Sequence, residues 1–155
     1  MKKILTLIVA VLAVAFGCMA QDTVKWRTSV RMTSASEGVV TVRAIIPAGW
    51  HLYGMEMPEG GPRATVLDFS SSKGVSLAGK TVAEPAPVTA MDEAFGTRLQ
   101  WWEGRVAFSQ RFRVTDAKTA RIELKVTYMT CNGSNCMPPR TESISAPVPP
   151  YKPAK

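Results

Sequence analysis

Beyond its first twenty residues the chain has no apolar run approaching the roughly 18 residues that a membrane span needs. It has one histidine, His51, which excludes a multi-histidine zinc site, and it lacks the CxxC pairs of zinc ribbons. Neither GxSxG nor a phosphate-binding glycine loop occurs, so nucleophile-elbow and nucleotide chemistry have no anchor. Internal repeats are absent, and no stretch after the first twenty residues keeps helical periodicity over about ten residues. Cysteine is scarce as well: of three, Cys18 lies in the leader region, which leaves Cys131 and Cys136.

The first twenty residues read as a secretory signal, with Lys2 and Lys3, an apolar run from Ile4 to Phe16, and small residues before Gln21. Cleavage after Ala20 leaves Ala20 and Cys18 as the small residues that a signal peptidase reads. A lipoprotein site at Gly17-Cys18 is the competing reading, but Ala15 and Phe16 fit it poorly. The expectation is therefore residues 1–20 as signal peptide, one domain over residues 21–147 and a flexible proline-rich tail over residues 148–155. A periplasmic location follows, without a membrane span in the mature chain. About 135 residues suffice for one cored domain and not comfortably for two.

Without Lys2 and Lys3 the 19 basic residues become 17 against 12 acidic ones, a net charge of +5. These charges are spread along the chain with no basic run or nucleic-acid motif, so nucleic acid is not expected as a partner. The excess base points to solubility or to docking on something acidic.

Alternation with period two dominates. In Arg105 to Val114 the apolar Val106, Phe108, Phe112 and Val114 share a face opposite Arg105, Ser109, Arg111 and Arg113. Arg121 to Tyr128 repeats the pattern, with Ile122, Leu124, Val126 and Tyr128 inward. Further strands are predicted at Trp26–Met32, Val39–Ile46, Thr65–Phe69 and Glu142–Ala146, separated by Gly, Pro and Ser turns. The fold class implied is all-β, an immunoglobulin-like antiparallel sandwich, although the Cys-Trp-Cys pattern of true immunoglobulin domains is missing.

Cys131 and Cys136 flank Asn132-Gly133-Ser134-Asn135, four turn formers, so a hairpin can bring the two thiols to disulfide distance. Such a bond either staples or trades electrons. A bridge across so short a loop stabilises less than one tying distant strands, and an exposed turn bridge is more easily reduced. Residues that can shelter or tune the pair include Trp50, His51, Tyr53, Tyr128, Met129, Met137 and Arg140. Two other readings stand beside exchange. One is a cuprous-copper module using Cys131, Cys136, His51, Met55, Met57, Met129 and Met137. The other is an inert interaction sandwich with a structural disulfide.

The segment YMTCNGSNCMPP, Tyr128 to Pro139, resembles the active-site hairpin of the N-terminal periplasmic domain of the DsbD family of thiol:disulfide interchange proteins. GWHLYG, Gly49 to Gly54, and MDEAFG, Met91 to Gly96, are similar to two further stretches of that family, in the same order. The resemblance implies an immunoglobulin-like sandwich with a reversible dithiol. It implies a thioredoxin-like electron donor and, as recipient, a periplasmic disulfide-bearing oxidoreductase or substrate protein, with no metal or organic cofactor. Cys136 corresponds to the attacking thiol and Cys131 to the resolving one. Asp92, Glu93 and Phe95 fall in the family's cap loop, where Ala94 replaces the first of two adjacent aromatics. Because the sequence ends after the sandwich, the resemblance further implies that the donor acts in trans.

Overall fold

A computed structural model describes residues 24–153. The signal-peptide reading of residues 1–20 and the lipoprotein alternative at Cys18 lie outside the described residues. Eleven strands make up the regular structure, and the described residues include no helix. In chain order they are β1 (Lys25–Met32), β2 (Glu37–Ile45), β3 (His51–Tyr53), β4 (Val66–Asp68), β5 (Val75–Glu84) and β6 (Val88–Asp92). Then follow β7 (Thr97–Glu103), β8 (Arg105–Val114), β9 (Arg121–Tyr128), β10 (Thr130–Cys131) and β11 (Arg140–Pro147). They form three antiparallel sheets, ordered β1-β2-β8-β5, β10-β3-β7-β6 and β11-β9-β4. This is the immunoglobulin-like sandwich expected from the alternation.

Period-two patterning explains the main core. Val40, Val42 and Ala44 of β2 and Val106, Phe108 and Phe112 of β8 face Ile122, Leu124, Val126 and Tyr128 of β9, all buried. Full burial of each such side chain stabilises by about 1.5–3 kcal/mol, most of it offset by chain entropy. Trp26 meets Tyr128 edge-on at 5.3 Å, and Trp102 meets Phe108 edge-on at 5.2 Å while donating its indole N–H to the Pro85 carbonyl at 2.8 Å. Val148, just past β11, packs against the same core.

Strand β5 departs from simple alternation. Its register against β8 shifts between Ala78 and Val82, with Gly79 at φ +73° allowing the bulge. Gln110, inward and 2% exposed, fills the break: its amide donates to the Ala78 and Gly79 carbonyls, and its oxygen accepts from the Thr81 hydroxyl at 2.8 Å. A polar residue in the middle of an apolar face is thereby satisfied.

The same alternation sends charge outward. Eight basic residues that are dispersed along the sequence lie on the one sheet β1-β2-β8-β5, a grouping that the sequence, with its charge spread along the chain, does not display.

In the sheet β10-β3-β7-β6 the strands β3 and β7 are covered on both faces. Leu52 and Trp102 point into the main core, whereas Tyr53, Leu99 and Trp101, from alternate positions of the same strands, build a second cluster with Cys131 on the opposite side. Trp101 and Trp102 thus serve different cores although they are neighbours in sequence.

Candidate dithiol site

Strand β10, two residues long, carries Cys131. Thr130 pairs with Leu52 and Cys131 with His51, placing Cys131 beside β3 with no solvent exposure. The following four residues turn the chain sharply. The Asn132 side-chain oxygen accepts from the amides of Ser134 (3.1 Å) and Asn135 (2.7 Å), and Gly133 takes φ +89°, a conformation that glycine adopts without a Cβ penalty. Asn132 N–H donates to the Asn135 carbonyl and Met137 N–H to the Thr130 carbonyl, which closes the hairpin on both sides of the turn. Cys131 and Cys136 are disulfide-bonded with Cα atoms 4.0 Å apart.

The two sulfurs occupy unequal environments. Cys131 is fully buried among Tyr53, Leu99 and Trp101, whereas Cys136 is only partly buried at the margin of that cluster. The Tyr53 hydroxyl lies 3.9 Å from Cys136 Sγ and donates to Asp92 Oδ2 at 2.8 Å. Burial, reinforced by the hydrogen bond to Asp92, pushes the Tyr53 phenol well above its ordinary range, so it stays a proton donor.

Asp92, 5% exposed, organises the site from the end of β6. Besides accepting from Tyr53, its Oδ1 accepts from the Phe95 amide at 3.1 Å, and its carbonyl accepts from the Gly96 amide at 2.8 Å. These bonds fold the β6–β7 turn so that the Phe95 ring meets the Tyr53 ring edge-on at 5.9 Å, within the cysteine cluster. His51 completes the wall, edge-on to Tyr53 and tilted over Trp101, each at 4.9 Å. Its Nε2 is 3.5 Å from Asp92 Oδ2 but lacks hydrogen-bond geometry.

Burial lowers the His51 pKa from 6.5, against the opposing pull of Asp92 and Glu103. A base held below its unfolded pKa binds fewer protons when folded. Its contribution to stability is therefore complete above about pH 6.5 and is lost as pH falls through the lower folded value. The thermal midpoint of the wild type is expected to drop as the pH falls below about 6.5. In His51→Gln that part of the slope should vanish in the same scan.

The sequence-derived site residues divide cleanly. His51, Tyr53, Asp92, Phe95, Cys131 and Cys136 converge. Glu93 is exposed on the cap turn beside exposed Ala94, and Trp50 packs against the main core instead. Of the soft ligands, Met57 and Met129 border the cysteine cluster, while Met55 lies against the main core. Arg140 stands opposite Tyr128 in the β9–β11 register. Leu99 and Trp101 form the floor under the dithiol and escaped sequence reading. Their only signal was alternation in Leu99-Gln100-Trp101, obscured by the adjacent Trp102.

No curated protein sequence matches the chain. Among solved structures, the N-terminal periplasmic domain of ScsB from Proteus mirabilis superposes with a TM-score of 0.58 at 17% identity, over 83% of this chain. This chain spans about half, 48%, of that one. The N-terminal domain of Neisseria meningitidis DsbD in its reduced form gives a TM-score of 0.53 at 18% identity, over 92% of this chain and 98% of that one. At such identities these likenesses speak to the fold. The family model for the N-terminal region of the thiol:disulfide interchange protein DsbD matches residues 18–147, a span that includes every strand and both cysteines of the hairpin. On that match, the chain belongs to the DsbD N-terminal domain family.

Proposed function

We propose that this domain carries out thiol-disulfide exchange in the periplasm through Cys131 and Cys136, taking electrons from a thioredoxin-like donor and passing them to disulfides of partner proteins. The observation that carries this reading is the asymmetry of the pair: one sulfur sealed under an aromatic wall, the other at its margin within 3.9 Å of a phenol. In the reduced protein the Cys136 thiolate attacks a partner disulfide, forming a mixed disulfide and releasing one partner thiolate. Cys131 then attacks Cys136 Sγ, restoring the internal disulfide and releasing the second partner thiolate. Two electrons and the two thiol protons pass to the partner.

The surrounding residues have matching tasks. Tyr53 offers its hydroxyl toward Cys136, Asp92 holds Tyr53 and the cap turn in place, and Phe95 covers the pair between encounters. On this reading residues 1–20 are the export signal and residues 21–147 the working domain. The test is to incubate the oxidised protein with a thioredoxin-type dithiol protein and alkylate the thiols released. Two reactive thiols per chain, Cys131 and Cys136, are expected; an unmodified protein would contradict the reading.

A further inference from the structure

The outer face of the sheet β1-β2-β8-β5 is strongly basic. Lys25, Arg27 and Arg31 of β1, Arg43 of β2, and Arg105, Arg111 and Arg113 of β8 all point outward and are exposed. Only two carboxyl side chains share the face, Glu37 and Glu84, and Glu37 is already bonded to Arg113 at 3.1 Å. With Lys80 of β5 the sheet carries eight basic residues against two acidic ones, a net charge of +6, while the nine basic and ten acidic residues elsewhere from Gln21 onward nearly balance.

The register makes this costly for the fold. Arg27 stands directly opposite Arg43, and Lys25 and Arg105 flank Ile45 in the neighbouring row. Like charges facing each other across strands are unfavourable. Among the described residues, Arg113–Glu37 is the only ion pair on this face. At one end Arg27, Arg43, Arg105 and Glu84 line a cavity of about 450 Å³ with Ile45 and Ala107 among its walls. A counter-charge from outside would relieve this repulsion.

We infer that this face docks the domain on an anionic phospholipid bilayer, with headgroup phosphates between the guanidinium groups. Three features favour a bilayer over an acidic protein. The outward residues between the cations are Ser29, Thr41, Ser109, Ala107, Val39, Ile45 and Val82, with no aromatic anchor of the kind that specific protein interfaces use. Six of the sheet's eight cations are arginine, whose planar fork binds phosphate oxygens in pairs. Four strands give a face about 14 Å wide and about 30 Å long, enough for several headgroups at once. The dithiol is carried by a different sheet, β10-β3-β7-β6, so docking and exchange use separate surfaces.

The test is sedimentation of the exported protein with vesicles, either purely zwitterionic or containing about one-third phosphatidylglycerol. Binding to the anionic vesicles alone, weakening as salt rises from about 50 mM to about 500 mM, is expected. Combining Arg27→Gln, Arg43→Gln and Arg111→Gln should lower the partition coefficient about 100-fold, roughly fivefold per residue. A control with the same change in charge, Arg63→Gln, Lys118→Gln and Lys125→Gln, should lower it far less. Equal losses in the two triple variants would overturn the inference, as would equal binding to zwitterionic vesicles. Displacement from vesicles by polyglutamate or duplex DNA at matched charge would overturn it too, in favour of an acidic protein or a nucleic acid. The salt series on the unaltered protein decides the matter even where a triple variant fails to fold.

Discussion

Cys136→Ser is expected to abolish reduction of partner disulfides outright, whereas Cys131→Ser should let the first half of the exchange proceed and then stall. The difference follows from burial. Cys131 has no exposed surface beneath Tyr53, Leu99 and Trp101, so a partner sulfur cannot approach it in line. Cys136 sits at the edge of the cluster on a turn that projects from the sheet, and an incoming disulfide can reach it. In the exchange proposed above, attack therefore begins at Cys136, and Cys131, held alongside by the hairpin, resolves the mixed disulfide. Mixed with a disulfide-bearing partner, reduced Cys131→Ser should accumulate a covalent 1:1 adduct that migrates as one band without reductant and as two with it. Cys136→Ser should give no adduct. An adduct with Cys136→Ser and none with Cys131→Ser would reverse the assignment.

Asp92→Ala is expected to cost about 3 kcal/mol of stability, well above the usual effect of a surface substitution. Two groups donate to that carboxyl, the Tyr53 hydroxyl at 2.8 Å and the Phe95 amide at 3.1 Å, and His51 Nε2 lies 3.5 Å from it. Its removal strands a buried phenol donor and frees the cap turn. Asp92→Asn keeps an acceptor in place and should lose less than half as much. Urea unfolding of the oxidised proteins provides the measurement. With the turn released, the disulfide should also react several-fold faster with a small phosphine in Asp92→Ala than in the wild type. Equal stability of Asp92→Ala and the wild type would mean that the carboxyl does not organise the site.

What the sequence disclosed, and what it hid, follows from how many faces of each strand are wet. Strands β8 and β9 have one buried and one solvated face, so strict alternation marked them to the residue, Arg105–Val114 and Arg121–Tyr128. Strand β5 escaped because Gly79 and Lys80 interrupt it at a bulge that only the side chain of Gln110, far away in sequence, makes comfortable. Strands β3 and β7 escaped for another reason: both of their faces are covered, so Leu99, Trp101 and Trp102 read as an apolar patch without period. The cysteines declared themselves through spacing alone, and the cap turn through its likeness to a family. The Tyr53–Asp92 bond joins residues 39 positions apart and left no local trace. Trp50 illustrates the converse: adjacency to His51 in sequence put it near the site, but alternation turned it toward the main core.

The reduction potential of the Cys131–Cys136 couple tests the central claim most directly. Equilibration in dithiol buffers of graded potential, with alkylation to count free thiols, should give a value between about −270 mV and about −180 mV, the range of thioredoxin-like and isomerase dithiols. The short loop and the partly exposed Cys136 both point there. A value below about −300 mV would identify a structural staple and contradict the exchange mechanism.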